Sequence, residues 1–197
     1  MSSSSDLASL KTAEILCREI LLNVSVLENT GHESEVKAEN RNEIHRSTFW
    51  TLLRNNACCM MVIRWCQVLG NDSEENHWKK LPYIDIQSTR KIFTAIAKKN
   101  HTEWSFFHTR AIETRNFYIA HTVSAAPNVF RDTEIFKQTA SVVRENILEI
   151  YRKHENMQEY DAEYLKQVVN LPNSEIEFQV ANMYKQAKIG HEEEVMA

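Results

Sequence analysis

The chain has 197 residues and a formal net charge of −4, and it contains only three glycines and three prolines. A chain of this length forms one domain of ordinary size and buries roughly 70% of the surface it would expose when unfolded, so it needs no disulfide framework. The acidic balance argues against a protein that coats nucleic acid non-specifically, and the scarcity of glycine and proline favours helices over strands and tight turns.

The N-terminal segment is polar and lacks the basic region and apolar run of a signal peptide, so we expect a cytoplasmic protein. The most hydrophobic stretch, "FWTLLRNNACCMMVIRWCQVLG", is interrupted by Arg54, Asn55, Asn56, Arg64 and Gln67. It therefore fails as a membrane span and is interpreted as a buried core helix. The cysteines, which show no C-x-x-C spacing, are expected to be reduced: Cys17, Cys58, Cys59 and Cys66.

Capping residues and the spacing of apolar residues predict helices in chain order. The first runs from about Asp6 to Glu28, and the second from Ser47 or Thr48 until Gly70 closes it. The next three are predicted to begin at Ser88, Thr102 and Asp132. Two short pieces begin at Asp161 and Ser174.

These elements predict an all-α protein with a single helical domain over residues 1–197, in which residues 6–156 form the core and residues 157–190 a C-terminal extension. Large apolar side chains on the inner faces are expected in the core or in a dimer interface. They are Trp50, Leu53, Met60, Trp65, Phe107, Ile119, Phe136, Val143 and Ile147.

Basic residues are concentrated between Ser88 and Thr122, where they outnumber the acids Glu103 and Glu113. A local positive surface on an acidic protein is a candidate for binding RNA, and the candidate contacts are Arg90, Lys98, Lys99 and Arg110. The alternative is that the segment "TRKIFTAIAKKN" forms an ordinary solvated helix face. The segment becomes a candidate RNA track only if it lies beside the helix that follows it.

One arginine stands where a permanent cation is unexpected. At 100° per residue, Arg115 falls near the middle of an apolar helix face with Phe107 and Ala111, and His121 lies at the edge of that face. A buried guanidinium needs a partner, either a carboxylate of another helix or an anionic ligand. Six residues rotate an α-helix about 120° out of alignment, so a local bulge or the reach of the arginine must bring Arg115 and His121 together.

The segment "RNFYIAH", from Arg115 to His121, resembles the signature of the HEPN family, and "FWTLLRNNACCMMVIRWCQVLG" followed by "EENHWKKL" is similar to the AbiU2-like branch of that family. The resemblance implies an up-and-down four-helix bundle with additional helices. It also implies a homodimeric, metal-independent endoribonuclease that acts in phage defence or a toxin–antitoxin system, with an antitoxin or regulatory protein as a possible further partner.

Carried onto this chain, the resemblance assigns a role to each residue of the motif. Arg115 would hold the scissile phosphate, and His121 would act as general base or acid while the neighbouring 2′-hydroxyl attacks. Asn116 would orient the histidine or the phosphate. No cofactor is expected. The alternative is a non-catalytic HEPN module that binds nucleotide, RNA or a protein partner.

Each candidate also has a simpler interpretation. Arg115 could form a structural ion pair with Glu145 or Glu149, and His121 could be an ordinary histidine at the edge of the core. Trp78, with its neighbouring lysines, could stack on nucleic acid or anchor a loop to the core. The group formed by Glu74, Glu75, His77, His101 and His108 lacks the spacing of a helical zinc site, so no metal is expected there.

Overall fold

A computed structural model describes residues 4–31, 48–119 and 132–153, together with residues 172–176, 178–179, 181–183 and 185 nearer the C-terminus. This part of the chain consists of helices and their connections and contains no strand, so the all-α prediction is confirmed for it. The division of the chain into a core and a C-terminal extension stays a prediction.

Five α-helices account for most of the described residues: α1 (Ser4–Gly31), α2 (Thr48–Leu69), α3 (Ile86–Lys99), α4 (Trp104–Glu113) and α5 (Thr133–Lys153). A 3-10 turn, Trp78–Lys80, lies between α2 and α3, and a π-helix, Thr114–Ile119, continues directly from α4. Further helical residues occur at 173–176, 178–179, 181–183 and 185.

The first two predicted helices are present with small differences at their ends. Helix α1 begins before Asp6, which lies in its first turn. A negative charge at this position interacts favourably with the helix dipole and stabilises the helix. Helix α2 ends where predicted, and the amide of Gly70 donates a hydrogen bond to the carbonyl oxygen of Cys66 at 3.1 Å. A Cβ atom at Gly70 would lie 2.5 Å from that oxygen, so the close approach requires glycine.

The residues that directly precede α3 and α4 differ from the predicted capping residues. Asp85, not Ser88, caps α3: its Oδ1 accepts hydrogen bonds from the amides of Gln87 and Ser88, which lower the pKa of its carboxyl. The residue before α4 is Glu103 rather than Thr102, and it makes no side-chain capping bond. Asp132 directly precedes α5 as predicted, whereas Asp161 lies outside the described residues.

Trp65 of α2 lies at the centre of an aromatic core. Its indole donates a hydrogen bond to Thr139 of α5 at 3.0 Å, and its ring centroid lies 5.5 Å from Phe107 and 5.4 Å from Phe136. Most of the predicted core residues with described side chains are buried: Trp65, Phe107, Phe136, Val143 and Ile147. Leu53 and Met60 are partly buried, and the side chains of Trp50 and Ile119 lie outside the described set.

Helices α1 and α5 run antiparallel, because Lys137 pairs with Glu28 while Arg144, further along α5, pairs with Glu14, earlier in α1. The second of these pairs is fully buried. The Arg144 Nε donates to Glu14 at 2.9 Å, and its Nη1 donates to the side chain of Asn173 at 2.7 Å. The buried pair therefore joins α1, α5 and the first of the C-terminal helical residues.

Of the helices that the structure describes, none combines the length and the apolar character of a membrane span. This agrees with the expectation that α2, although strongly apolar, is a core helix.

Candidate functional site

Helix α4 ends at Glu113, and the π-helix that follows it begins at Thr114, one residue before the motif starts at Arg115. Local hydrogen bonds mark this change of helix type. The hydroxyl of Thr114 donates to the carbonyl oxygen of Arg110 at 2.7 Å, and the amide of Thr114 is shared between the carbonyl oxygens of Ala111 and Arg110. π-Helical segments are rare and occur frequently at functional sites, because they change the direction in which side chains point.

The π-helix departs from the α-helical geometry that was used to place Arg115 and His121 relative to each other. Regular 100° steps no longer apply from Thr114 onward. His121 itself lies outside the described residues, so its distance from Arg115 stays a prediction.

Arg115 lies at the edge of the core, with its side chain 22% exposed. Its Nη1 donates to Glu74 Oε1 at 2.7 Å, and its Nε donates to the side-chain oxygen of Asn116 at 3.1 Å. Asn116 is exposed, and the Glu74 side chain is 33% exposed. The guanidinium is thus paired, but its partner and one of its edges are reachable from solvent.

Arg115 does form an ion pair, but the prediction that its partner is Glu145 or Glu149 is wrong. Glu145 and Glu149 point to solvent from α5, because the inner face of that helix is occupied by Val143 and Ile147. Glu149 pairs instead with Lys153. The acid that does reach Arg115 comes from the connection between α2 and α3.

Backbone turns and lysine contacts fix Glu74 in that connection. The amide of Glu74 donates to the carbonyl oxygen of Asn71 at 3.0 Å, and the amide of His77 donates back to the carbonyl oxygen of Glu74 at 3.3 Å. The Lys80 ammonium donates to the backbone oxygens of Ser73 and Glu74. These bonds hold the carboxylate of Glu74 opposite α4.

Trp78 anchors the same connection to the core. Its side chain is buried, and its ring centroid lies 5.1 Å from that of Phe93 on α3. The anchoring interpretation of Trp78 is therefore confirmed, and stacking on nucleic acid is excluded for a ring that is already covered.

His77 and His108 both stabilise the corner after α2. The Nε2 of His108 lies 2.9 Å from the carbonyl oxygen of Leu69 and 3.0 Å from that of Gly70. His77 is 1% exposed, its Nδ1 accepts from the Lys79 amide, and its Nε2 lies 3.4 Å from Asp72. Burial lowers the pKa of His77 to about 4, so this imidazole is neutral near pH 7.

The residues considered for a metal are therefore engaged in other contacts or set apart. Glu74 holds Arg115, His77 and His108 bond the corner after α2, and His101 lies at the separate corner between α3 and α4. Within the described residues there is no group of three or more histidine, cysteine or acidic side chains arranged to hold a metal ion.

The cysteines near the site are packing residues. Cys66 is buried beneath Arg115 and Glu74, and burial raises the pKa of its thiol to about 12. Burial likewise raises the pKa of Cys58 to about 11. Because a thiol that stays protonated is a poor nucleophile, neither side chain is suited to covalent catalysis at neutral pH.

The predicted RNA contacts lie on α3 and α4. Arg90, Lys98 and Lys99 are exposed on α3, whereas Arg110 of α4 is partly buried, 3.9 Å from Asp132. The two helices are neighbours, because the rings of Phe93 and Trp104 lie 4.9 Å apart. The basic segment therefore does lie beside the motif helix.

Sequence reasoning missed Glu74 as the partner of Arg115. The signal was weak: two adjacent acids in a polar connection, separated from Arg115 by 41 residues. Only the packing of the α2–α3 connection against α4 reveals the pair.

Comparison of the chain with models of known protein families, with curated proteins and with solved structures found no significant match in any of the three. The interpretation of this site as HEPN-like accordingly depends on the residues of the motif and on their surroundings in the fold.

Proposed function

We propose that this protein is a HEPN-type, metal-independent endoribonuclease that serves in phage defence or a toxin–antitoxin system. The observation that carries the proposal is the half-buried guanidinium of Arg115, which lies on a π-helix within the HEPN-like motif and whose hydrogen-bond partners in the described part of the chain, Glu74 and Asn116, are reachable from solvent. An anion arriving from solvent can compete for such a guanidinium.

The chemistry follows from the residue types. Arg115 binds the scissile phosphate with its planar fork and stabilises the negative charge that grows on it during cleavage. His121 moves the proton of the attacking 2′-hydroxyl or that of the leaving oxygen, since its ordinary pKa is near neutral. Asn116, already bonded to the Nε of Arg115, orients the guanidinium.

The proposal includes the finer architecture of the family. The chain would form a four-helix bundle with additional helices and would act in the cytoplasm as a homodimer, with a pair of Arg115 and His121 side chains from each protomer facing one phosphate. Contributions from both protomers would relax the requirement that Arg115 and His121 of one chain touch. An antitoxin or regulatory protein would restrain the activity.

A second candidate is a non-catalytic HEPN module that binds nucleotide, RNA or a protein partner. The Arg115–Glu74 ion pair favours it, because a guanidinium held at 2.7 Å by a fixed carboxylate has less need of a phosphate. The endoribonuclease would cleave RNA with turnover, whereas the binding module would not cleave it.

Incubation of labelled RNA with the purified protein in EDTA distinguishes them. We expect the wild type to cut RNA and the variants Arg115→Ala and His121→Ala to lose about 10²-fold or more of that rate, as is typical when acid–base or phosphate-stabilising groups are removed. Intact RNA with the wild type, or equal cutting by all three proteins, would favour the binding module.

A further inference from the structure

A continuous strip of surface runs along α3 and over the corner to α4. One shallow depression of about 400 Å³ is lined by Gln87, Arg90, Lys91 and Thr94. A second, of about 570 Å³, is lined by Lys98, His101, Thr102, Glu103 and Phe106. At 100° per residue Lys98 falls on the same face of α3 as the residues of the first depression, so it links the two.

The strip is strongly positive. Helix α3 contains Arg90, Lys91, Lys98 and Lys99 and has no acidic residue of its own. All four side chains are exposed, and the nearest acidic influence among the described residues is Asp85, whose carboxyl pKa is lowered by its bonds to Ser88 and, to a smaller extent, by the charge of Lys91. Glu103 is the single acid in the lining of either depression, and Asp85 is occupied by its capping bonds. These cations are available to an anionic ligand.

An exposed aromatic ring stands at the end of the strip. Phe106 is 57% exposed, and the guanidinium carbon of Arg110 lies 5.4 Å from its ring centroid. A flat apolar ring flanked by cations is the arrangement on which single-stranded nucleic acids stack their bases while their phosphates follow the positive charges.

The corner holds His101 in a backbone conformation that normally requires glycine. Its φ is 59°, and the bonds from the His101 amide to Lys98 and from the Thr102 amide to Ala97 close the end of α3. A side chain in this conformation is strained, and strain of this kind is concentrated at functional sites. The His101 side chain is exposed and lines the second depression.

The strip is separate from the Arg115 site. Phe106 lies on α4 and lines the depression at the corner between α3 and α4. Arg115 lies in the π-helix and contacts Glu74 of the connection between α2 and α3. The strip and the Arg115 site therefore consist of different residues, and the strip is considered for binding and not for bond cleavage.

We propose that this strip binds single-stranded RNA, with one base stacked on Phe106 and the adjoining phosphates held by Arg90, Lys91 and Lys98. The ligand class rests on the proposed function, whereas the position of the subsite rests on the exposed ring and the exposed cations. An acidic peptide would match the charges, but it has no bases to stack on the part of the Phe106 ring that is exposed.

Fluorescence anisotropy with a short labelled oligouridine tests the proposal on the full chain. We expect Phe106→Ala to weaken binding about fivefold or more and Phe106→Trp to retain it, because every base can stack on an aromatic face. Lys98→Ala should lower the slope of log K against log salt concentration by about 0.7, the value for one phosphate contact on a single strand. Leu52→Ala, at an exposed apolar residue of α2, and Lys153→Ala, at an exposed lysine of α5, should change neither quantity.

His101→Gly removes the imidazole while relieving the backbone, so we expect a protein at least as stable as the wild type that binds the oligonucleotide more weakly. This variant separates a binding defect from a folding defect.

The proposal is overturned if the wild type does not bind the oligonucleotide, if Phe106→Ala binds it as tightly as the wild type, or if polyglutamate displaces it and shows no dependence on Phe106. Failure of the proposed nuclease function looks different. In that case the RNA stays intact, while its binding still depends on Phe106 and Lys98.

Discussion

Arg115 is held by a carboxylate, which carries the same sign of charge as the phosphate that the arginine is proposed to bind. The Glu74 side chain is partly exposed, so the pair gains less than a buried ion pair and can be separated without leaving a charge sealed from water. In the proposed nuclease, Glu74 would compete with the phosphate for Arg115. The strength of that competition would decide how readily the site accepts RNA.

Replacing Glu74 with glutamine should make Arg115 more available. We expect Glu74→Gln to bind RNA about 2- to 5-fold more tightly and to cut it faster at low RNA concentration, since a partly exposed ion pair is typically worth up to about 1 kcal/mol. Binding and cleavage assays on the same RNA measure both effects. Glu75→Gln is the matched control, because Glu75 is an exposed neighbour with the same charge.

His77 makes the stability of the fold depend on pH. Burial holds its pKa near 4 in the folded protein, against an ordinary value of 6.5, so between these pH values the unfolded chain binds a proton that the folded chain does not. The contribution of His77 is fully present above pH 6.5 and is lost as the pH falls toward 4. Urea denaturation at pH 7.0 and pH 4.5 should show a loss of roughly 1–3 kcal/mol from this residue.

The variant His77→Gln isolates that contribution. Glutamine does not titrate, so the variant should be less stable at pH 7 but should lose less stability on acidification than the wild type does. An identical loss in both proteins would show that other groups cause the acid sensitivity.

The spacing of apolar residues predicted well which helices exist and where each one lies in the chain. The stripe on α5, for example, places Phe136, Val143 and Ile147 inward, as in the structure. Helix ends were predicted less well. Asp85 and Ser88 are both good capping residues, and only the hydrogen bonds made by Asp85 decide between them.

The sequence left open whether a local bulge or the reach of the arginine side chain relates Arg115 to His121, and it could not locate a change of helix type. The change from α-helix to π-helix at Thr114 depends on how the hydroxyl and amide of Thr114 share the carbonyl oxygen of Arg110, four residues earlier. No residue type is specific to such a change, so its position follows from hydrogen bonding alone.

The arginine at the centre of the core is Arg144 and not Arg115. The rule that a buried guanidinium needs a carboxylate holds for both residues, since Arg144 pairs with Glu14 and Arg115 pairs with Glu74. A signal was present in the sequence. Glu14 lies on the apolar face of α1 beside Leu10 and Cys17, and Arg144 lies on the apolar face of α5, so two opposite charges face the core.

Removing one member of the buried pair should destabilise the fold strongly. We expect Arg144→Met to lower the free energy of unfolding by about 3–5 kcal/mol, because Glu14 is left charged and buried, and the double variant with Glu14→Leu to recover much of that loss. Urea denaturation measures both. Lys153→Ala, which breaks the exposed pair with Glu149, should cost less than about 1 kcal/mol. Equal costs for Arg144→Met and Lys153→Ala would contradict the account of the core.

At the scale of the whole molecule, the proposed site is composite. A single chain supplies one Arg115 and one His121, and the proposal requires a second chain to bring another pair to the same phosphate. The all-helical architecture was predictable from composition and periodicity. No single helix face indicates how two chains would assemble, so the assembly has to be tested directly.

Mixing two inactive variants tests the assembly. If the protein dimerises as proposed, the homodimers of Arg115→Ala and of His121→Ala would each lack one of the two residues entirely, whereas a mixed dimer would keep one Arg115 and one His121. We expect RNA cleavage to reappear after the two variants are unfolded together and refolded, and light scattering to report a dimer for each. A mixture as inactive as its parts, or a monomer at micromolar concentration, would argue against a composite site.

The proposed nuclease would cleave RNA through the 2′-hydroxyl next to the scissile phosphate. Analysis of the ends produced from a defined oligonucleotide in EDTA tests it most directly, with a second substrate that carries a single 2′-deoxynucleotide at the cut position. The account predicts a 2′,3′-cyclic phosphate and a 5′-hydroxyl from the first substrate and no cut at that position in the second. A 5′-phosphate product, or equal cutting of both substrates, would contradict it.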